Sequence, residues 1–188
     1  MSRTGILGGT FDPLHNGHIA VALHVKNKLH LDKVLLVPAS IPPQKKNQII
    51  TDYSIRYELI SLSIRKIDGL EVCNADNTSG TSYSLNLVRK LSKLYPEDEF
   101  FFIVGEDSLA ELTTWHRWQE LITECGFVVV NRSDSMCPAP DLAPFAHRIS
   151  YVNMPPVDIS SSEIRFMILN HEDIAPYVPK SVASFYST

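Results

Sequence analysis

Two histidines three residues apart, His15 and His18, stand in the segment GGTFDPLHNGH at residues 8–18, directly after the apolar run Gly5-Ile6-Leu7. If Asn16 or Gly17 opens a helix, that spacing puts both imidazoles on one face, two donors aimed at one spot. Gly8 and Gly9 admit close approach of a ligand to the backbone, and Asp12-Pro13 signals a turn that redirects the chain. Three chemistries compete for the pair. A metal site needs further ligands, and no cysteine or carboxylate stands at convincing spacing. A capping or surface pair needs nothing more. Donors to an oxyanion are the third reading, and glycines, a helix start and two histidines all favour negative charge. The segment is neither G-x-G-x-x-G nor G-x-x-x-x-G-K-[ST], so the lysine of a P-loop has no counterpart in it.

Further candidates lie downstream. ISSSEIR, residues 159–165, sets Ser160, Ser161 and Ser162 at a helix start with Arg165 a turn later. Hydroxyls, backbone N–H groups and a permanent cation suit a triphosphate, whereas a helix cap alone explains one serine. GTSY, residues 80–83, offers several donors for a carboxylate or else caps a helix. Trp115 and Trp118 are each a flat face for an aromatic ligand or a packing residue.

The elements that must position these residues alternate. Apolar runs rich in β-branched and aromatic residues occur at 4–8, 33–39, 70–75, 99–105, 126–132 and 148–153 and read as strands buried on both faces. Between them, apolar residues at spacings of three and four predict helices from residues 18, 52, 82 and 113. Strand–helix alternation implies right-handed crossovers and an α/β, doubly wound, mainly parallel sheet. Ligands of such sheets sit beyond the carboxyl ends of the strands, where strand order reverses. Residues 133–147 read as a Pro-rich loop, a helix starts from 159, and a short final helix has Pro179 near its first turn.

With 188 residues the chain fits one domain, residues 1–188, large enough for a sizeable core. A 44% hydrophobic fraction, 20% charged residues and a net charge of −4 describe an ordinary globular chain without a broad grip on nucleic acid, while a small anionic ligand remains allowed. Cys73, Cys125 and Cys137 lack zinc or redox spacing and read as incidental thiols. No run approaches the ~20 apolar residues of a membrane span, and the N-terminal apolar stretch is too short for a signal peptide, so a cytoplasmic location away from membranes is expected. The sequence sets no oligomeric state.

GGTFDPLHNGH resembles the signature of the nucleotidyltransferase superfamily with an (H/T)-x-G-H motif, and ISSSEIR is similar to its I-S-S-T-x-I-R motif, with Ser162 keeping the threonine hydroxyl. Within that superfamily the chain most resembles bacterial nicotinate-nucleotide adenylyltransferases, from about residue 4 to the end. VPASIPPQKK, residues 37–46, is similar to the P-x-x-x-P-P-H-K loop, with Lys45 on the family lysine and Gln44 in place of the usual histidine. GTSYS is similar to the family's G-T-S-Y-T segment, and IVGEDSLAELTTWHRW to its G-x-D-x-x-x-x-x-x-x-W pattern, with Glu106 where relatives carry a small residue. The resemblance implies adenylyl transfer from ATP to nicotinate mononucleotide with Mg²⁺ carried by the nucleotide. It assigns catalysis to His15, His18 and Arg165. ATP falls to those three and to Gly8, Gly9, Thr10, Phe11, Gly105, Asp107 and Ser160 to Ser162. The nicotinate nucleotide falls to Lys45, Thr81, Ser82, Tyr83 and Trp115. No metal-binding cage from the protein is implied. Two other readings are a sister transferase for another acceptor, such as phosphopantetheine, and a regulatory module with a decayed site. GTSYS and Trp115 stand against the first, and the retained His15, His18 and Arg165 against the second.

Overall fold

The computed structural model of the chain describes residues 1–41, 50–78, 80–131, 140–155 and 157–187. All six expected strands form: β1 (Ser2–Gly9), β2 (Lys33–Pro38), β3 (Leu70–Val72), β4 (Asp98–Gly105), β5 (Gly126–Asn131) and β6 (Ile149–Asn153). They pair in parallel in the order β3-β2-β1-β4-β5-β6, so strand order reverses between β1 and β4. The helices are α1 (Asn16–Lys28), α2 (Tyr53–Ile64), α3 (Ser84–Leu94), α4 (Glu106–Ala110), α5 (Trp118–Glu124), α6 (Ser161–Leu169) and α7 (Lys180–Tyr186).

The period-2 geometry of the strands explains why they read as unbroken apolar runs. Ile6, Leu35, Phe102 and Val129 point to one face, beneath α3 and α5; Leu7, Leu36, Ile103 and Val128 point to the other, beneath α1 and α2. On α3, buried Leu85, Val88 and Leu91 recur every three residues, which fixes the face it turns to the sheet.

Four local features differ from the sequence reading. The helix expected from 113 is a 3₁₀ turn, Leu112–Thr114, followed by Arg117 at φ 53° and only then α5. That left-handed residue breaks the helix and leaves Trp115 and His116 outside it. The one-turn helix α4 is too short for periodicity to announce. The third strand stops at Val72, although the Cys73 N–H still donates to the Leu36 carbonyl at 3.0 Å. The part of the Pro-rich stretch from Pro140 to Arg148 winds into 3₁₀ turns that bury Leu142. Pro179 stands where expected, as the N-cap directly before the first turn of α7. Cys73 and Cys125 are buried free thiols, and Cys137 lies outside the described residues.

Candidate functional site

The carboxyl end of β1 delivers the signature segment to the point where strand order reverses, and two cavities open there. The first, of about 410 Å³, is lined by Gly8, His15, His18, Gly105, Asp107 and Val157 among others. The second, of about 770 Å³, is lined by Gly9, Thr10, Ala39, Asp76, Ser82, Tyr83 and His116 among others. Gly8, Phe102, Ser108 and Trp115 line both and form their common wall. The arrangement is one cleft with two chambers, each of a size for a small-molecule ligand.

His15 is the N-cap of α1, which opens at Asn16. Its imidazole lies against that of His18, ring centroids 3.7 Å apart. The His15 backbone N–H donates to His18 Nδ1 at 3.2 Å, which leaves the proton of a neutral His18 ring on Nε2. Phe11, at φ 50° and 2% exposed, sets its ring edge-on to His18, with centroids 4.9 Å apart. Gly17 has a steric role: a Cβ there would fall 2.9 Å from His15 Nδ1 and 2.7 Å from Val157 Cγ1. Position 17 is therefore a glycine because His15 and Val157 occupy the space a side chain would need.

Burial pushes the His15 pKa down from 6.5 to about 4, only partly opposed by the charge of Glu163. His15 is thus neutral at pH 7 and acts as a hydrogen-bonding group, not as a cation. His15 Nδ1 and Trp115 Nε1 are two of three buried side-chain polar atoms lacking a protein partner among the described residues; the third is the Tyr53 hydroxyl. Leaving such an atom unpaired costs about 1–3 kcal/mol, and two of the three belong to residues of the cleft.

The serine–arginine motif packs against the back of the signature segment. Ser160 is the N-cap of α6: its hydroxyl oxygen accepts from the Glu163 N–H at 3.2 Å. Ser161 donates to the Pro13 carbonyl at 3.0 Å, next to the cis Asp12–Pro13 peptide. Arg165 donates to the Asp12 carbonyl at 2.7 Å and to the Ser162 hydroxyl at 3.0 Å. Ser161 and Arg165 therefore tie α6 to the histidine loop, Ser160 and Ser162 bond within α6, and none of the four lines either chamber.

Placement refines the other assignments. Gly9 and Thr10, read as nucleotide contacts, line the second chamber, and Phe11 supports His18 from within the core. Ser82 is tied to Ile41 twice: its N–H donates to the Ile41 carbonyl at 3.0 Å, and its hydroxyl oxygen accepts from the Ile41 N–H at 3.1 Å. Tyr83 stacks on His116, centroids 4.5 Å apart. Thr81 is half-buried and lines neither chamber, and Lys45 and Gln44 lie outside the described residues. Glu106 lines the first chamber beside Asp107.

Sequence reasoning passed over Asp76, Arg56 and His116. Asp76 is 7% exposed on the wall of the second chamber, and burial pushes its carboxyl pKa up against hydrogen bonds from the Ser82 hydroxyl and the Ser40 N–H. No spacing in its loop could have flagged it. Arg56 could have been found, because with Leu59, Ile60 and Ile64 it sits on the buried stripe of α2, where a charge is out of place.

A parallel sheet with paired histidines at the β1 end carries a two-chambered cleft at its switch point, where ligands of such sheets sit. A model of the cytidylyltransferase-like family matches residues 6–166, which places the chain in that class of proteins. A relative from Clostridium novyi named "Probable nicotinate-nucleotide adenylyltransferase" is 36% identical over 187 residues, spanning 96% of this chain and 94% of the relative. One of the same name from Exiguobacterium sibiricum is 37% identical over 181 residues, spanning 96% and 93%. The solved structure of Plasmodium falciparum nicotinic acid mononucleotide adenylyltransferase complexed with NaAD shares the fold, with a TM-score of 0.80 at 19% identity over 99% of this chain and 94% of that one. The chain belongs to the nicotinate-nucleotide adenylyltransferase family.

Proposed function

We propose that this chain transfers the adenylyl group of ATP to the 5′-phosphate of nicotinate mononucleotide, giving deamido-NAD and pyrophosphate. The observation that carries the reading is the two-chambered cleft with His15 and His18 on one side of the shared wall and Trp115 in it. ATP takes the first chamber, its phosphates over Gly8 and the start of α1. The acceptor takes the second, its ring against Trp115 and its phosphate directed past Gly8 toward the first.

A phosphate oxygen of the acceptor forms the new bond to the α-phosphorus, and the bond from that phosphorus to the bridging oxygen of pyrophosphate breaks. The nucleophile is already anionic, so no general base is needed, and catalysis reduces to alignment and stabilisation of charge. His15, kept neutral by burial, and His18 beside it stabilise the charge that develops at the α-phosphate. Arg165 adds a permanent positive charge next to the loop, held on Asp12 and Ser162. Ser161 fixes α6 against that loop, Ser160 caps α6 and Ser162 holds Arg165, Asp107 faces the adenosine, and Lys45 covers the phosphates.

Among the described residues no group of three His, Cys, Asp or Glu could hold a metal ion. Mg²⁺ fits the site as a passenger of the nucleotide, with phosphate oxygens and water as its ligands, neutralising triphosphate charge. No helix among the described residues is long and apolar enough to cross a membrane.

Incubation with ATP, Mg²⁺ and in turn nicotinate mononucleotide, nicotinamide mononucleotide and phosphopantetheine tests the reading through pyrophosphate release. Fastest release with nicotinate mononucleotide is expected; release with phosphopantetheine alone would contradict it.

A further inference from the structure

Arg56 is 2% exposed yet carries its guanidinium into the core beneath the cleft. Its Nε donates to the Thr51 carbonyl at 2.8 Å, and its Nη1 donates to the carbonyls of Thr10 at 2.7 Å and Ala39 at 2.9 Å. Those carbonyls belong to three separate stretches: the signature loop after β1, the exit of β2 and the lead-in to α2. Asp12, 5% exposed, supplies the opposing charge, and its Oδ2 accepts from the Thr51 N–H at 3.3 Å. Thr10 and Ala39 line the second chamber, whereas Arg56 lines neither chamber and stands behind their wall.

We propose that Arg56 is a positioning residue for adenylyl transfer, fixing the histidine-bearing loop against the exit of β2 so that acceptor and α-phosphate meet in line. The proposal rests on the adenylyl-transfer reading. A planar guanidinium presents several donors in one rigid fork, so a single side chain can hold three carbonyls at set separations, which a lysine ammonium on a flexible stem cannot. Stability alone gives little reason for the charge, because an apolar residue would pack α2 on the sheet without the desolvation cost. Arg56 also neutralises Asp12, whose negative charge would otherwise lie under a loop meant for phosphates. Without the fork, the two edges of the second chamber lose the side-chain clamp that ties both to the lead-in of α2 and keep the bond from the Ala39 N–H to the Gly9 carbonyl at 2.8 Å, while both retain their ligand contacts.

Arg56→Met and Arg56→Lys test this, with single-turnover rates at saturating substrates expressed per folded molecule and each KM measured alongside. A displacement of about 1 Å can cost on the order of 10²-fold, so kcat is expected to fall about 10- to 100-fold in both variants, with each KM within about threefold of wild type. Arg56→Lys keeps a positive charge opposite Asp12 and decides the matter should the methionine variant not fold. A merely structural residue would lower the folded fraction and leave turnover per folded molecule unchanged, which would overturn the proposal. Wild type in the same assay separates the failures: no transfer by wild type contradicts the functional reading, whereas equal rates in all three proteins refute only the role of Arg56.

Discussion

Replacing Gly17 by alanine adds one methyl group where the structure has no room for it. The new Cβ would stand 2.7 Å from Val157 Cγ1, 2.9 Å from His15 Nδ1 and 3.0 Å from His15 Cε1, whereas ordinary contacts begin near 3.4 Å. Val157 has the first chamber to yield into, and the His15 ring, packed 3.7 Å from His18 between centroids, must move by about half an ångström. Two terms set the stability. Alanine is favoured over glycine in a helix by up to about 1 kcal/mol, and overpacking costs about 1–3 kcal/mol, so the net loss is about 0–2 kcal/mol. At about 2–4 °C per kcal/mol, the melting temperature should fall by less than about 8 °C. The rate is more sensitive, because misplacing a reacting geometry by about 1 Å can cost 10²-fold, and half that shift about tenfold. Thermal melts followed by circular dichroism, with single-turnover pyrophosphate release at saturating ATP and nicotinate mononucleotide, measure the two effects separately. A folded Gly17→Ala variant with a rate within twofold of wild type would refute the claim that His15 acts on the reaction from its packed position.

His18→Ala removes a donor at the α-phosphate and should lower kcat by roughly 10²- to 10³-fold with little change in either KM; an unchanged single-turnover rate would sink that role. Trp115→Ala should raise KM for the acceptor roughly tenfold and that for ATP less, since the pyridine ring loses its stacking face, and equal effects on both would contradict the assignment. For pH, a folded-state His15 pKa of about 4 against 6.5 unfolded means that the unfolded chain binds the extra proton first. The associated stability is fully present above pH 6.5 and lost as pH falls toward 4. Between pH 7 and 4.5 it amounts to about 2 kcal/mol, measurable as a shift in urea midpoint that His15→Asn should reduce. Equal shifts in wild type and variant would show that burial of His15 does not set the acid sensitivity.

The strands were legible because burial on both faces removes every polar interruption: Leu35-Leu36 and Phe102-Ile103 feed opposite cores from adjacent positions. The histidine pair was legible because an i, i+3 spacing survives into any helix that starts at Asn16. What stayed hidden depends on tertiary placement. Arg117 turns left-handed and frees Trp115 from the expected helix, a backbone choice no side-chain pattern marks. The serines of residues 160–162 read as ligand donors, yet each has a local partner: Ser160 the Glu163 N–H, Ser161 the Pro13 carbonyl and Ser162 Arg165. Asp76 reaches the second chamber from a loop whose composition resembles any other turn.

Transfer of the α-phosphorus itself tests the central claim most directly. With enzyme in excess over ATP labelled at that phosphorus, Mg²⁺ and nicotinate mononucleotide, the label should appear in deamido-NAD in one exponential phase, at the rate at which pyrophosphate is released. Label recovered as free AMP, or in a dinucleotide only when another acceptor replaces nicotinate mononucleotide, would contradict the account.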